Sequence, residues 1–200
     1  MPIEARQRWD RYWLVDPLDG TKEFVKRNGE FTVNIALIEG GSPVLGVVHV
    51  PVTGITYYGA EGIGAFKRDS GEDAMQIQVT QPAASPVRVV GSRSHRGSSL
   101  DAFLDNLDGF EMVAMGSSLK LCLVAEGVAD VYPRLGPTSE WDTAAADAVV
   151  RAAGGRVVQL DGTPLAYNKP DSILNPYFLV YGDPSVDWLG MLGEGPEPQA

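Results

Sequence analysis

The chain is poor in cysteine and histidine, has no long apolar run and carries no excess of basic charge. Each shortage removes a class of protein. Cys122 is the lone cysteine, so no disulfide can form within the chain. It lies in the apolar run Leu121-Cys122-Leu123-Val124, where a reduced, buried thiol is expected. Nowhere do the ~18 consecutive apolar residues of a membrane-spanning helix occur. The stretch from Met1 to Arg11 is charged and lacks the apolar centre of a signal peptide, so the expectation is a cytoplasmic protein without membrane insertion. Lys and Arg number 16 against 26 Asp and Glu, for a formal net charge of −10. With no basic stripes, nucleic acid is excluded as the main partner.

What is present is ordinary for a soluble fold: 44% hydrophobic and 21% charged residues, enough for one domain or two small ones. Arg11 to Val15 is a short aromatic and β-branched run ended by Asp-Pro, which reads as a buried strand entering a sharp turn. Thr21 to Lys26 suits a helix. Phe31 to Ile38 and Val44 to Val50 read as a hairpin about Glu39-Gly40-Gly41-Ser42-Pro43, and Ile55 to Tyr58 and Gly64 to Lys67 extend an antiparallel sheet. Gln81-Pro82-Ala83-Ala84-Ser85-Pro86 separates two regimes. Beyond it strands at 87–90, 111–115, 129–132 and 156–160 alternate with helices at 98–107, 117–127 and 143–153. The expectation is an α/β class fold in two halves: an antiparallel-sheet subdomain over 1–82 and an α/β subdomain over 83–192, with a disordered tail at 193–200.

In Asp16-Pro17-Leu18-Asp19-Gly20-Thr21 two carboxylates lie three residues apart across a proline-stiffened turn and can converge on one point. Carboxylates with a turn carbonyl such as that of Leu18 suit Mg²⁺, a hard cation that takes oxygen ligands and retains several waters. Gly20 and Thr21 open a helix whose free N–H groups would face an anion, and the Thr21 hydroxyl could orient a water. A plain Asp-Pro turn with a helix capped at Asp19 accounts for the hexapeptide as well. Glu140-Trp141-Asp142-Thr143 places Asp142 at the start of an Ala-rich helix, as a third carboxylate or as an N-cap. Its small residues would let that helix pack closely enough to reach the first motif. An acidic protein that handles phosphate needs cations, and bound metal supplies them. Aspartyl-phosphate phosphatases, whose two aspartates are separated by one residue, fit less well, because two intervene here. His95 sits in a Ser-rich loop after a strand, suited to a phosphate contact or to a turn. His49, mid-strand, reads as a packed or solvent-facing strand residue.

Trp13-Leu14-Val15-Asp16-Pro17-Leu18-Asp19-Gly20-Thr21-Lys22-Glu23-Phe24, Gly116-Ser117-Ser118-Leu119-Lys120 and Trp141-Asp142-Thr143-Ala144-Ala145 with Ala153-Gly154-Gly155 together resemble the lithium-sensitive inositol monophosphatase superfamily. Thr21 to Phe24, Ser92-Arg93-Ser94-His95 and Tyr132-Pro133-Arg134 are most similar to its bacterial 3'(2'),5'-bisphosphate nucleotidase branch, the CysQ type. The resemblance implies a layered sandwich. It also implies two or three Mg²⁺ ions on Asp16, the Leu18 carbonyl, Asp19 and Asp142, with the scissile phosphate received by Gly20 and Thr21. Hydrolysis would be metal-assisted, without a phosphoenzyme. The implied substrate is 3'-phosphoadenosine 5'-phosphate, cleaved to AMP and phosphate and held through His95, Ser117, Lys120 and Arg134. The family's N-terminal helices and its upstream metal-binding glutamate have no counterpart in the 15 residues before Asp16. Their absence is expected to bare one face of the first sheet. It also leaves three alternatives to the nucleotidase: an inositol monophosphatase, a sugar bisphosphatase, or an inactive short form acting as a binding or dimerising module. A homodimer is a further expectation.

Overall fold

The computed structural model describes residues 3–91 and 98–193. A one-turn helix, α1 (Ile3–Arg6), leads into β1 (Arg11–Asp19), α2 (Thr21–Lys26), β2 (Thr32–Glu39), β3 (Ser42–His49), β4 (Thr56–Ala60), β5 (Gly64–Arg68) and β6 (Met75–Ile77). These strands form one six-stranded antiparallel sheet in chain order. The second half comprises β7 (Val87–Gly91), α3 (Ser98–Asp105), β8 (Phe110–Ala114), α4 (Leu119–Ala125), β9 (Val131–Arg134), α5 (Glu140–Ala152), β10 (Arg156–Gln159) and β11 (Phe178–Tyr181), then a 3₁₀ turn at Gly190–Leu192. Its strands form a second sheet ordered β10-β11-β9-β7-β8. β7 runs parallel to β8 and β9, whereas β11 is antiparallel to both β9 and β10, so this sheet is mixed. Most expected strands and helices appear within a few residues of their place. The strand β11, lying between β9 and β10, has no expected counterpart.

The layers follow from alternation along the strands. On the first sheet Ala36, Ile38, Val48 and Tyr57 point inward onto α4 and α5. On the second, Val90, Tyr132, Phe178 and Val180 point toward the same helices, while Val89, Val131, Leu179 and Tyr181 face α3 and Trp188. The molecule is thus sheet, helices, sheet, helix, and one core joins the two halves. Cys122 is buried in it as a free thiol, and burial raises its pKa.

The expectation of a buried first strand is corrected. β1 is an edge strand, with Trp13 60% and Val15 47% exposed on the face away from α5. The sharp turn is also absent, because the strand runs on through Asp-Pro-Leu-Asp. The disordered tail expected at 193–200 lies, apart from Gly193, outside the described residues.

What seats α5 on the first sheet is a row of small residues. Ala36, Gly46, Gly59 and Ala65 are successive cross-strand partners on β2 to β5. The helix lays Ala145, Ala148 and Ala152 into that trough. A Cβ added at Gly46 would stand 2.0 Å from the Ala145 carbonyl oxygen and 2.9 Å from the Ala148 methyl. Polar contacts tie the helix to its surroundings: Asp147, paired with Arg151 one turn on at 2.6 Å, accepts from the Tyr167 hydroxyl at 2.9 Å, and Arg151 donates to the Leu165 carbonyl at 2.8 Å. Glu140 accepts from Lys169 Nζ at 2.8 Å and faces Arg6 at 3.6 Å.

Gly46→Ala should therefore destabilise the protein by about 1–3 kcal/mol through overpacking. Gly136→Ala, which meets no atom within 4 Å, should change stability by less than about 0.5 kcal/mol. Urea unfolding of both variants beside the unaltered chain checks this; equal midpoints would remove the tight-seat account.

Candidate active site

Alternation in a strand puts residues three apart on opposite faces, so Asp16 and Asp19 would diverge on a regular β1. They do not, because the register slips between them. Asp16 is opposite Asn34 and Asp19 opposite Thr32, three steps on β1 against two on β2. The extra residue is a bulge over Pro17 and Leu18. It turns both carboxylates inward, and Pro17, lacking an N–H, is tolerated on an edge strand at such a point. The Leu18 N–H donates to Asp16 Oδ1 at 3.0 Å, an Asx turn that fixes the carboxylate.

The third carboxylate arrives on α5. Asp142 is not the N-cap: Ser139 is, and Asp142 is the third helical residue, accepting from the Ser139 backbone N–H at 2.7 Å. Nor is Asp19 the cap of α2, a place taken by Gly20 at φ 86°. One carboxylate oxygen from each of Asp16, Asp19 and Asp142 lies within 4.8 Å of the others. All three acids have raised pKa values. For each, burial is the largest cause; Asp142 also pushes up Asp19, Asp19 pushes up Asp16, and Asp16 pushes up Asp142. Lys120 opposes the effect at Asp19, and Arg134 opposes it at Asp142. Three converging, half-buried oxygen donors whose protein partners leave their repulsion unresolved fit a hard divalent cation.

Beside the triad opens a cleft of about 200 Å³, lined by Asp19, Gly20, Ser117, Lys120, Arg134 and Asp142 among others. Of the expected site residues these six therefore meet in one place, with Asp16 directly behind. Thr21 is exposed at the start of α2 and is not among the lining residues. Leu18 turns its N–H toward Asp16. His95 lies outside the described residues. Lys120 is no surface charge: it is 8% exposed, donates to the Ser117 carbonyl at 2.7 Å and stands 5.7 Å from the Tyr132 ring centroid. His49 is half-buried at the end of β3, bonded to the Thr56 hydroxyl at 2.9 Å.

Several residues escaped sequence reasoning. Lys22 and Lys26 line the cleft one helical turn apart on α2. Ser118, Thr32 and Asn34 lie buried against Asp19. The available signal was phase: Thr32 and Asn34 occupy the same inward positions of β2 as Ala36 and Ile38, where polar groups are costly unless something needs them.

The sequence model of the Inositol monophosphatase family matches residues 2–182. The chain belongs to the inositol monophosphatase family. Within it, the chain is 58% identical over 177 residues to a Salmonella typhimurium protein named 3'(2'),5'-bisphosphate nucleotidase CysQ, a match spanning 88% of this chain and 70% of the relative. Among solved structures, CysQ from Bacteroides thetaiotaomicron superposes with a TM-score of 0.83 at 45% identity, covering 91% of this chain and 73% of the other. An inositol monophosphatase from Anabaena superposes at 0.74 with 28% identity, covering 95% and 74% respectively. The layered architecture is therefore that of inositol monophosphatases, a metal-dependent phosphatase family, and among the described residues no helix is long and apolar enough to cross a membrane.

A carboxylate whose folded pKa is raised stabilises the protein at low pH and loses that contribution as pH rises through the folded value. Metal-free stability should accordingly fall as pH rises above the usual carboxylate value of about 4, and a divalent cation should raise Tm more at pH 7.5 than at pH 5. Scanning calorimetry with and without Mg²⁺ at both pH values measures this; a cation effect independent of pH would contradict the assignment of the triad.

Proposed function

We propose that this chain is a Mg²⁺-dependent phosphatase that hydrolyses the 3'-phosphate of 3'-phosphoadenosine 5'-phosphate, giving AMP and phosphate. The observation that carries the reading is the convergence of Asp16, Asp19 and Asp142 beside a cleft whose other wall bears Lys22, Lys26, Lys120 and Arg134. Such a cleft both calls for cations, at the carboxylates, and supplies basic side chains, which suits a small molecule carrying two phosphates. The identity to relatives named bisphosphate nucleotidase narrows the substrate.

Asp16, Asp19, Asp142 and the Leu18 carbonyl would hold the ions, Mg²⁺ being the best match to an all-oxygen donor set. When bound, they supply an activated water at neutral pH and charge stabilisation for the leaving ribose oxygen. The chain's own groups do the rest. Gly20, in the cleft at the start of α2, presents its backbone N–H to the scissile phosphate, and Thr21, exposed beside it, would add its N–H and a hydroxyl that orients the attacking water once substrate is bound. Ser117, Lys120 and Arg134, with His95, receive the remaining phosphate and the nucleoside. Arg134 lines the cleft, its side chain held by Nη2 donating to the Pro137 carbonyl at 2.8 Å.

Phosphate release should be fastest from 3'-phosphoadenosine 5'-phosphate, slower from inositol monophosphate and from a sugar bisphosphate, and abolished by chelation. Asp19→Asn should lower the rate by roughly 10²–10³-fold, several kcal/mol of lost charge stabilisation. Equal release from the variant and the unaltered chain would sink the assignment. Faster release from inositol monophosphate would move the substrate to the sister activity.

A further inference from the structure

We propose that Ser118 is a positioning residue for the Asp19 carboxylate, acting through a hydroxyl clamp formed with Thr32 and Asn34. The inference rests on the reading of Asp19 as a metal ligand. Ser118, Thr32 and Asn34 are 3%, 0% and 1% exposed. Ser118 Oγ lies 2.8 Å from Thr32 Oγ1 and 3.0 Å from Asn34 Oδ1. The Ser118 backbone N–H donates to Asp19 Oδ2 at 2.5 Å, and Thr32 Oγ1 lies 3.4 Å from the same oxygen. In this arrangement the Ser118 hydroxyl donates to the Asn34 oxygen. Thr32 Oγ1 thus stands within reach of both Ser118 Oγ and Asp19 Oδ2.

The clamp joins segments 84 and 86 residues apart in sequence. It sits where β2 otherwise turns Ala36 and Ile38 into the core, and a burial of three polar side chains is retained only when their hydrogen bonds serve something. What it holds is a strained backbone. Ser117 has φ 45°, in the left-handed region that a side chain disfavours. That kink aims the next N–H at Asp19. Among the contacts that keep it in place are Lys120 Nζ on the Ser117 carbonyl at 2.7 Å, the Gly116 N–H on Glu30 at 2.8 Å and the Ser118 hydroxyl on β2. With the hydroxyl gone the loop can relax and withdraw the N–H, leaving Asp19 free to rotate. The Ser118 and Thr32 contacts both fall on Asp19 Oδ2, and Asn34 also bonds the Asp19 side chain, so the clamp fixes the orientation of the carboxylate.

The experiment measures Mg²⁺ and Mn²⁺ binding by titration calorimetry and thermal unfolding by circular dichroism, for the unaltered chain, Ser118→Ala, Thr32→Val, Thr32→Ser and the Ser118→Ala/Thr32→Val double variant. Each of the first two should weaken cation affinity by about 10–100-fold, the usual cost of losing a group that orients a ligand. The double variant should be no weaker than the poorer single one, and Thr32→Ser, which keeps the hydroxyl, should bind like the unaltered chain. Leu104→Ala serves as a control: Leu104 is 4% exposed on α3, in the cluster on the far side of the second sheet from α5 and the clamp, so it should lower Tm by leaving a cavity without changing affinity. Unchanged affinity in a folded Thr32→Val or Ser118→Ala overturns the proposal, as does a Thr32→Ser loss equal to that of Thr32→Val. If Ser118→Ala does not fold, the two Thr32 variants decide. An unaltered chain that binds no cation overturns the metal reading itself, and this proposal with it.

Discussion

The structure depends on how closely α5 can approach the six-stranded sheet. A helix packed on a sheet normally stands off by the length of the side chains between them. Here the row Ala36, Gly46, Gly59 and Ala65 has almost none, and the facing surface of α5 is alanine. Backbone therefore comes against backbone. That closeness carries the N-terminal turn of α5, and Asp142 with it, to the bulge that holds Asp16 and Asp19. Glu140, paired with Arg6 and Lys169, and Asp147, which accepts from the Tyr167 hydroxyl, tie the helix to neighbouring segments at two points along its length.

The packing sets up an electrostatic problem that the protein does not solve alone. Three carboxylates are brought together from two elements, and burial and mutual repulsion hold all of their pKa values up. Hydrogen bonds from Leu18, Ser118 and Ser139 orient the oxygens without neutralising them. Lys120 and Arg134, which line the same cleft, offset part of this repulsion at Asp19 and Asp142 but do not bring the pKa values down to their ordinary range. Acidic and basic groups gathered in one cleft, in a chain of net charge −10, form the arrangement expected where cations and a phosphorylated molecule complete the site together.

Much of this was legible in sequence because the signals are local. The helix over Thr21 to Lys26, the hairpin at Gly40-Gly41 and the strands of the first sheet announce themselves by alternation and glycine punctuation. The close-packing role of the alanines after Asp142 was readable from their size. The misreadings share one cause. Trp13 and Val15 look like core residues by composition, yet β1 is an edge strand with one face outward, and composition does not say which strand ends up at an edge. Asp16 and Asp19 look like a turn because Asp-Pro usually makes one, but pairing with β2 draws the segment into the ladder as a bulge. β11 passed unnoticed because a run of four residues between loops carries little period of its own.

The sequence by itself determined the chemistry available: which residues carry oxygen donors, which carry phosphate-binding charge, and the secondary structure each stretch prefers, since these depend on neighbours within a few positions. The tertiary structure alone decided that Asp142 joins Asp16 and Asp19, that Thr32 and Asn34 reach Ser118 across more than eighty residues, and that Lys120 is enclosed and not solvated. Each of these is a contact between distant segments, set by where small side chains let layers close and where a bulge turns a strand. Packing geometry of that kind is a property of the assembled chain, and no local run of residues encodes it.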